Sequence, residues 1–173
     1  MSAKHLVSIA ILCLLAACAG YGGSGLKAGE DGQADVIRVM GIPAMQWADA
    51  DGSRQLAYPR GPMGVHTYMA HIGPDGKLQR IENVLTLETF ARVRPGMNLE
   101  QVLRLLGPSE PSGTAYFKAR DELVWEWRYC DPANELARFV VLFDGTQRTV
   151  RSTMKQTEAQ RGICGLGGCR CSP

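Results

Sequence analysis

An internal repeat restricts the fold of this chain more than any other feature. Residues 33–41 (QADVIRVMG) align with residues 99–107 (LEQVLRLLG), and each copy ends on a glycine with a proline one or two positions beyond it. In the second copy Leu99, Val102, Leu103 and Leu106 fall at i, i+3, i+4 and i+7, so one face of a helix is apolar. In the first copy Val36, Ile37 and Met40 repeat that face, and only Gln33 departs from it. Each helix has a single apolar stripe, which it must bury against something else. The residues that follow each helix therefore have to supply an apolar surface.

The helix ends are marked in the sequence. Asn98 can accept from a free backbone N–H as N-cap, and Gln101, three residues on, can reach back in a capping box. Gly107 sits where the chain turns left-handed and Pro108 prevents continuation; Gly41 and Pro43 do the same in the first copy. After each stop comes a strand-rich stretch with an Asp-Gly dipeptide, Asp75-Gly76 and Asp144-Gly145, which suits a tight hairpin. In the first copy strands are expected near residues 54–59, 66–72 and 77–83. In the second, Leu123, Trp125, Trp127 and Tyr129 alternate with Val124, Glu126 and Arg128, which is the period of a strand. Residues 139–143 (FVVLF) read as a buried central strand and 147–153 as its hairpin partner. The expected fold class is α+β, with two tandem units that each combine a helix with a three- or four-stranded antiparallel meander. A unit of about 60 residues is marginal alone, so two packed together are the more stable arrangement.

The N-terminus indicates the compartment. Lys4 and His5 precede an uncharged apolar run over residues 6–17, which is shorter than the roughly 20 residues a membrane-spanning helix needs. Such a run is an export signal. It ends Leu15-Ala16-Ala17-Cys18, which resembles the lipobox of bacterial lipoproteins. The resemblance implies removal of residues 1–17 and acylation of Cys18, which tethers the chain to a lipid bilayer because each buried methylene contributes about 0.8 kcal/mol. Ala19 in place of Asp, by the sorting pattern of enterobacterial lipoproteins, implies delivery to the outer membrane. Residues 18–27, glycine-rich from Gly20 to Gly25, are expected to act as a flexible tether. The organisation expected beyond it is a first unit over 28–85, a second over 86–155 and a cysteine-rich tail over 156–173.

The stretch from Arg94 to Ser152 resembles the small outer-membrane lipoproteins of the β-barrel assembly machine, the BamE, SmpA or OmlA family. The likeness is carried by Arg94-Pro95-Gly96-Met97 leading into the helix, Leu105-Leu106-Gly107-Pro108 closing it, the tryptophan-rich strand, and Leu142-Phe143-Asp144-Gly145. It implies an ααβββ-like unit whose first short helix runs from Thr86 to Val93, a lipidated cysteine and a periplasmic location. It also implies a non-catalytic accessory role with outer-membrane assembly proteins as partners. The first unit, residues 28–83, matches less well and lacks room for the first helix of the pattern. The tandem also resembles the two related domains of the β-lactamase inhibitor protein, which offers an inhibitor-like or envelope-stress lipoprotein as the alternative.

Charge and motifs exclude several functions. With 19 Lys+Arg against 17 Asp+Glu, the chain has no basic footprint for nucleic acid. It has no GxSxG elbow, HExxH pair or phosphate loop, so neither a catalytic residue nor a cofactor nor a small-molecule substrate is expected. His66 and His71 lie five apart, on opposite faces of a regular strand, and are expected to be polar surface residues rather than metal ligands. Arg148, Arg151, Lys155 and Arg161 form a modest basic edge: a solvated strand end, or a surface for anionic headgroups. Trp125, Trp127 and Tyr129 have two readings, the core side of a strand or an exposed interaction face.

Four of the 6 cysteines follow the anchor position: Cys130, Cys164, Cys169 and Cys171. In an oxidising periplasm they invite two disulfides, and a bond from Cys130 to the tail would pin the tail to the sheet. Four cysteines allow three pairings, and the sequence does not choose among them. Capture of a soft metal ion by the tail thiols, and a functionally silent tail, are the other two readings.

Overall fold

The computed structural model describes residues 22–61, 64–164 and 169–171. The two repeat helices are α1 (Gln33–Met40) and, after a short α2 (Leu87–Phe90), α3 (Leu99–Leu106). α3 starts as its sequence specifies. The Gln101 amide N–H donates to the Asn98 side chain at 2.9 Å, and the Asn98 N–H donates back to the Gln101 side-chain oxygen at 2.9 Å. α1 has no side chain at its cap, Gly32, but the Gly32 N–H still donates to Asp35 at 3.1 Å. Both helices end on a glycine with positive φ, Gly41 at 87° and Gly107 at 72°.

Each repeat helix is followed by an antiparallel meander of four strands. The first sheet is β1 (Met45–Ala48), β2 (Arg54–Pro59), β3 (Thr67–Ile72) and β4 (Leu78–Asn83), paired in that order. The second is β5 (Ala115–Phe117), β6 (Glu122–Cys130), β7 (Leu136–Asp144) and β8 (Val150–Thr157), also in order. Strand parity sets the layers. Leu56, Tyr58, Ala70 and Ile72 on one face of the first sheet pack with Val36 and Met40 of α1. Ala57 and Met69, on the opposite face, join a second core with Phe90, Val102 and Leu106 from α2 and α3 and with Leu123, Trp127, Phe139 and Phe143 of the second sheet. The order through the molecule is thus α1, first sheet, α2 with α3, second sheet. One helix layer is shared between two sheets, which is how units too small to be stable alone acquire a common core. Each fully buried Leu, Val or Phe there contributes about 1.5–3 kcal/mol.

The α+β class and the two helix-plus-sheet units are as the sequence specifies, and among the described residues α1 is the first helix. Four local features differ from expectation. First, α2 is Leu87–Phe90, capped by Thr86, and the chain then passes through a tighter turn in which the Val93 N–H donates to the Phe90 carbonyl at 3.1 Å. Second, β8 begins at Val150 rather than near 147. The Asp144 carboxylate accepts the N–H groups of Thr146 and Gln147, and Arg148 takes a left-handed φ of 57°, so a longer loop replaces a tight Asp-Gly turn. Third, the fourth strand that the expectation of three or four allowed is a short edge strand whose place the sequence did not mark, β1 in one sheet and β5 in the other.

Fourth, the glycine-rich approach is docked from Gly22 onward. Gly23 is buried, and a Cβ there would collide with Ile81 Cδ1; one at Gly22 would stand 3.1 Å from Cζ of Tyr68. Gly23 also holds a positive φ of 82°, a conformation that favours glycine. Leu26 packs against the core of the first unit and its N–H donates to the Gly23 carbonyl at 3.1 Å. The described residues 22–27 are thus in contact with the first unit rather than standing clear of it.

Candidate functional site

The aromatic stripe of β6 faces inward. Trp127 is 2% exposed and Tyr129 3% exposed, while Trp125 is partly buried against the same core. The Trp127 indole N–H donates to the Gly107 carbonyl at 3.2 Å, Trp125 meets Phe143 edge-on at 4.9 Å, and Phe90 packs edge-on to Tyr129 at 4.8 Å. These side chains are the floor on which α2 and α3 sit. They do not form an interaction face, because strand parity gives them to the helix layer.

The opposite face of the second sheet carries a buried ionic cluster. Glu126 and Arg128 of β6 have the parity opposite to the tryptophans, and Arg138 of β7 pairs with Arg128 in register. Glu158, just past β8, is 2% exposed. Arg128 donates to its carboxylate through Nε at 2.8 Å and a terminal nitrogen at 3.0 Å, and Arg138 Nε adds a third bond at 3.1 Å. Arg138 also donates to Glu110 at 2.8 Å and to Glu126 at 3.3 Å. Arg161 closes the cluster with two bonds to Glu126, at 2.8 and 2.9 Å. Three arginines face three glutamates, so the cluster is neutral overall and its charges are compensated where water is scarce.

Proton affinities follow from this arrangement. The Arg128 hydrogen bond holds the Glu158 carboxyl below the ordinary carboxylate value, against the upward push of burial. For Glu126 burial is the largest single influence and pushes upward, but Arg161 and Arg138 together outweigh it and hold the group low. None of the sequence motifs points to this cluster. Its available signal was an arginine at position 138 beside an otherwise apolar central strand, and acid and base at the outward positions 126 and 128.

Beside the cluster, disulfides fix the tail. Cys130, at the end of β6, bonds to Cys171, with the two α-carbons 5.9 Å apart, and Cys164 bonds to Cys169. The Leu136 N–H donates to the Cys169 carbonyl at 2.8 Å and the Cys171 N–H to the Asn134 carbonyl at 3.1 Å, so the tail adds to the β6–β7 hairpin end. Glu158, Cys164 and Cys169 bring an oxygen and two sulfurs within 4.8 Å, but both sulfurs are spent in one disulfide and offer no thiolate to a metal ion. This pairing removes the ligands on which the metal-binding reading of the tail relied. Glu158 and Arg161, at the start of the tail, complete the ionic cluster.

The remaining candidates are accounted for by neighbours. His71 is bonded to Glu82 at 2.9 Å, and His66 stacks on Tyr68 with ring centres 5.8 Å apart. Burial pushes both imidazoles down. In the expected basic edge, Arg151 is held by Asp144 at 2.7 Å and Arg161 by Glu126, so half of that edge is neutralised internally. Between the units a cleft of about 280 Å³ is lined by His66, Leu85, Pro108, Glu110 and Trp127. Two of its polar groups are already engaged, Glu110 by Arg138 and the Trp127 N–H by Gly107. The lipobox Leu15, Ala16, Ala17 and the anchor Cys18 lie outside the described residues.

The fold and these sites define a tandem α+β protein with a shared helix layer and a disulfide-fixed tail. Comparison with protein-family models, with curated proteins and with solved structures finds no match.

Proposed function

We propose that this chain is a non-catalytic lipoprotein of the outer membrane, facing the periplasm and held there by acyl chains on Cys18. In this reading it serves as a protein-interaction scaffold in the assembly of outer-membrane β-barrel proteins. The observation that carries the reading is the order of elements in the second unit. There α2 and α3 precede an antiparallel meander, with the Arg94-Pro95-Gly96-Met97 turn between the helices and Asp144-Gly145 after β7. That order is the one the family resemblance implies.

Two further features support it. The disulfides suit an oxidising compartment outside the cytoplasm. The polar groups brought together by the fold, the arginine–glutamate cluster above all, are engaged with one another, as in a structural element rather than a reaction centre.

The test is the content of folded β-barrel proteins in outer membranes of cells lacking this chain. The expected result is a reduced content, restored by the unaltered protein and not by Cys18→Ser. An unchanged content overturns the assembly role.

A further inference from the structure

The chain leaves the first unit at a defined place. Gly22 lies against the ring of Tyr68, and Gly23 is seated between Ile81 and the sulfur of Met40. Cys18 precedes Gly22 by four residues, so at full extension their α-carbons are at most about 14 Å apart. An acylated Cys18 therefore holds this end of the first unit close to the bilayer, whatever path the intervening residues take.

At the same end lies Ile42, which is 89% exposed, more than any other large apolar side chain among the described residues. Its exposure does not come from a loose loop. The Gly41 N–H donates to the Ile37 carbonyl at 2.8 Å, and the Ala44 N–H donates to the Ala57 carbonyl at 2.9 Å, so the backbone is fastened on both sides of it. Ile42 follows Met40 by two residues, which keeps their α-carbons within about 7 Å, and a Cβ on Gly23 would stand 3.4 Å from the Met40 sulfur. Met40, the last residue of α1, links the two: its sulfur lies beside Gly23, and Ile42 follows it by two residues.

A single exposed isoleucine is ordinary on a protein surface. This one is distinguished by its fixed position within reach of the anchor.

Resting on the reading of Cys18 as acylated, we propose that this end of the first unit lies on the bilayer and that Ile42 enters the boundary between headgroups and acyl chains. The occupant of this surface is the lipid that the anchor already brings to it.

The test uses the full acylated protein in phosphatidylcholine vesicles, with and without brominated acyl chains. Ile42→Trp is compared with Met154→Trp, which lies on the outer face of the second sheet, and the unaltered protein gives the background from its own tryptophans. The expected result is quenching of the added fluorescence several-fold greater at position 42 than at 154. Equal quenching at the two positions, in protein that mass spectrometry shows to be acylated, overturns the inference and leaves the anchor reading intact. Protein that carries no acyl chain overturns the anchor reading itself, and this placement with it. Hydrogen exchange of the 41–44 backbone in otherwise unaltered protein makes the same test without a new side chain. Exchange slower on vesicles than in soluble Cys18→Ser protein is expected, and equal rates overturn the placement.

Discussion

Gly107 lies so close to Thr67 that a Cβ on the glycine would stand 2.8 Å from the threonine Cγ2. This contact joins the end of α3 to the first sheet, and the Gly107 carbonyl at the same point accepts the Trp127 indole N–H. Gly41, at the matching position of the first repeat, has a similar positive φ but nothing within 4 Å of where a Cβ would be. Substitution by alanine should therefore separate strain from collision. Gly41→Ala is expected to cost about 1–3 kcal/mol, the strain of holding a non-glycine residue in that backbone region. Gly107→Ala is expected to cost more, because Thr67 must move as well. Urea unfolding of both variants measures the difference, and equal losses would show that the contact between the units is not tight.

The two disulfides should differ in what they contribute. Cys130–Cys171 closes 41 residues and Cys164–Cys169 only 5. By loop-closure entropy the first is worth about 4 kcal/mol and the second about 2 kcal/mol. Paired substitution by alanine, followed by chemical denaturation, should reproduce that order. A larger loss from the short loop would contradict it.

Removing one member of the ionic cluster should harm more than removing a surface charge. Glu158→Gln leaves Arg128 and Arg138 facing a neutral group in a buried setting and is expected to cost about 3–5 kcal/mol. Glu30→Gln, which breaks only the exposed pair with Lys27, should change stability by less than about 1 kcal/mol. Denaturation midpoints check both.

Stability should fall with acidification, for a reason whose sign can be worked out. Glu158 and Glu126 have folded-state proton affinities below the ordinary carboxylate value of 4.5, so the unfolded chain binds protons more readily than the folded one. Their contribution is complete above about 4.5 and is lost as pH falls through the folded values. The half-buried His66 and His71, pushed below 6.5, act in the same direction at higher pH, because the unfolded imidazoles charge first. Urea midpoints measured from pH 8 to pH 3 should decline from about 6.5 downward. The decline below 4.5 should flatten in Glu158→Gln.

Much of the framework was legible because each signal was local. The Asn98–Gln101 box and the Gly107-Pro108 stop bound α3 at both ends, and strands β2 to β4 fall within one residue of their expected places. Alternation in β6 correctly put Trp125, Trp127 and Tyr129 on one face, but periodicity cannot say whether that face meets solvent or a helix. The edge strands β1 and β5, of 4 and 3 residues, are too short to show a period. The ionic cluster was hidden for a different reason. Glu110, Glu126, Arg138 and Glu158 are far apart in sequence and meet only through the β6–β7 register and the return of the tail. The same hairpin selects Cys171 as the partner of Cys130, a choice that sequence spacing left open. The docking of Gly22 and Gly23 was masked by composition, since a glycine run reads as flexible and here serves close approach.

Isolating the protein from envelopes solubilised in mild detergent and identifying what accompanies it tests the role of a lipid-anchored scaffold for barrel assembly. Stoichiometric recovery of barrel-assembly subunits is expected with the unaltered chain, and a marked loss with Cys18→Ser, which removes the anchor. Recovery of the acylated protein with none of those subunits would contradict it.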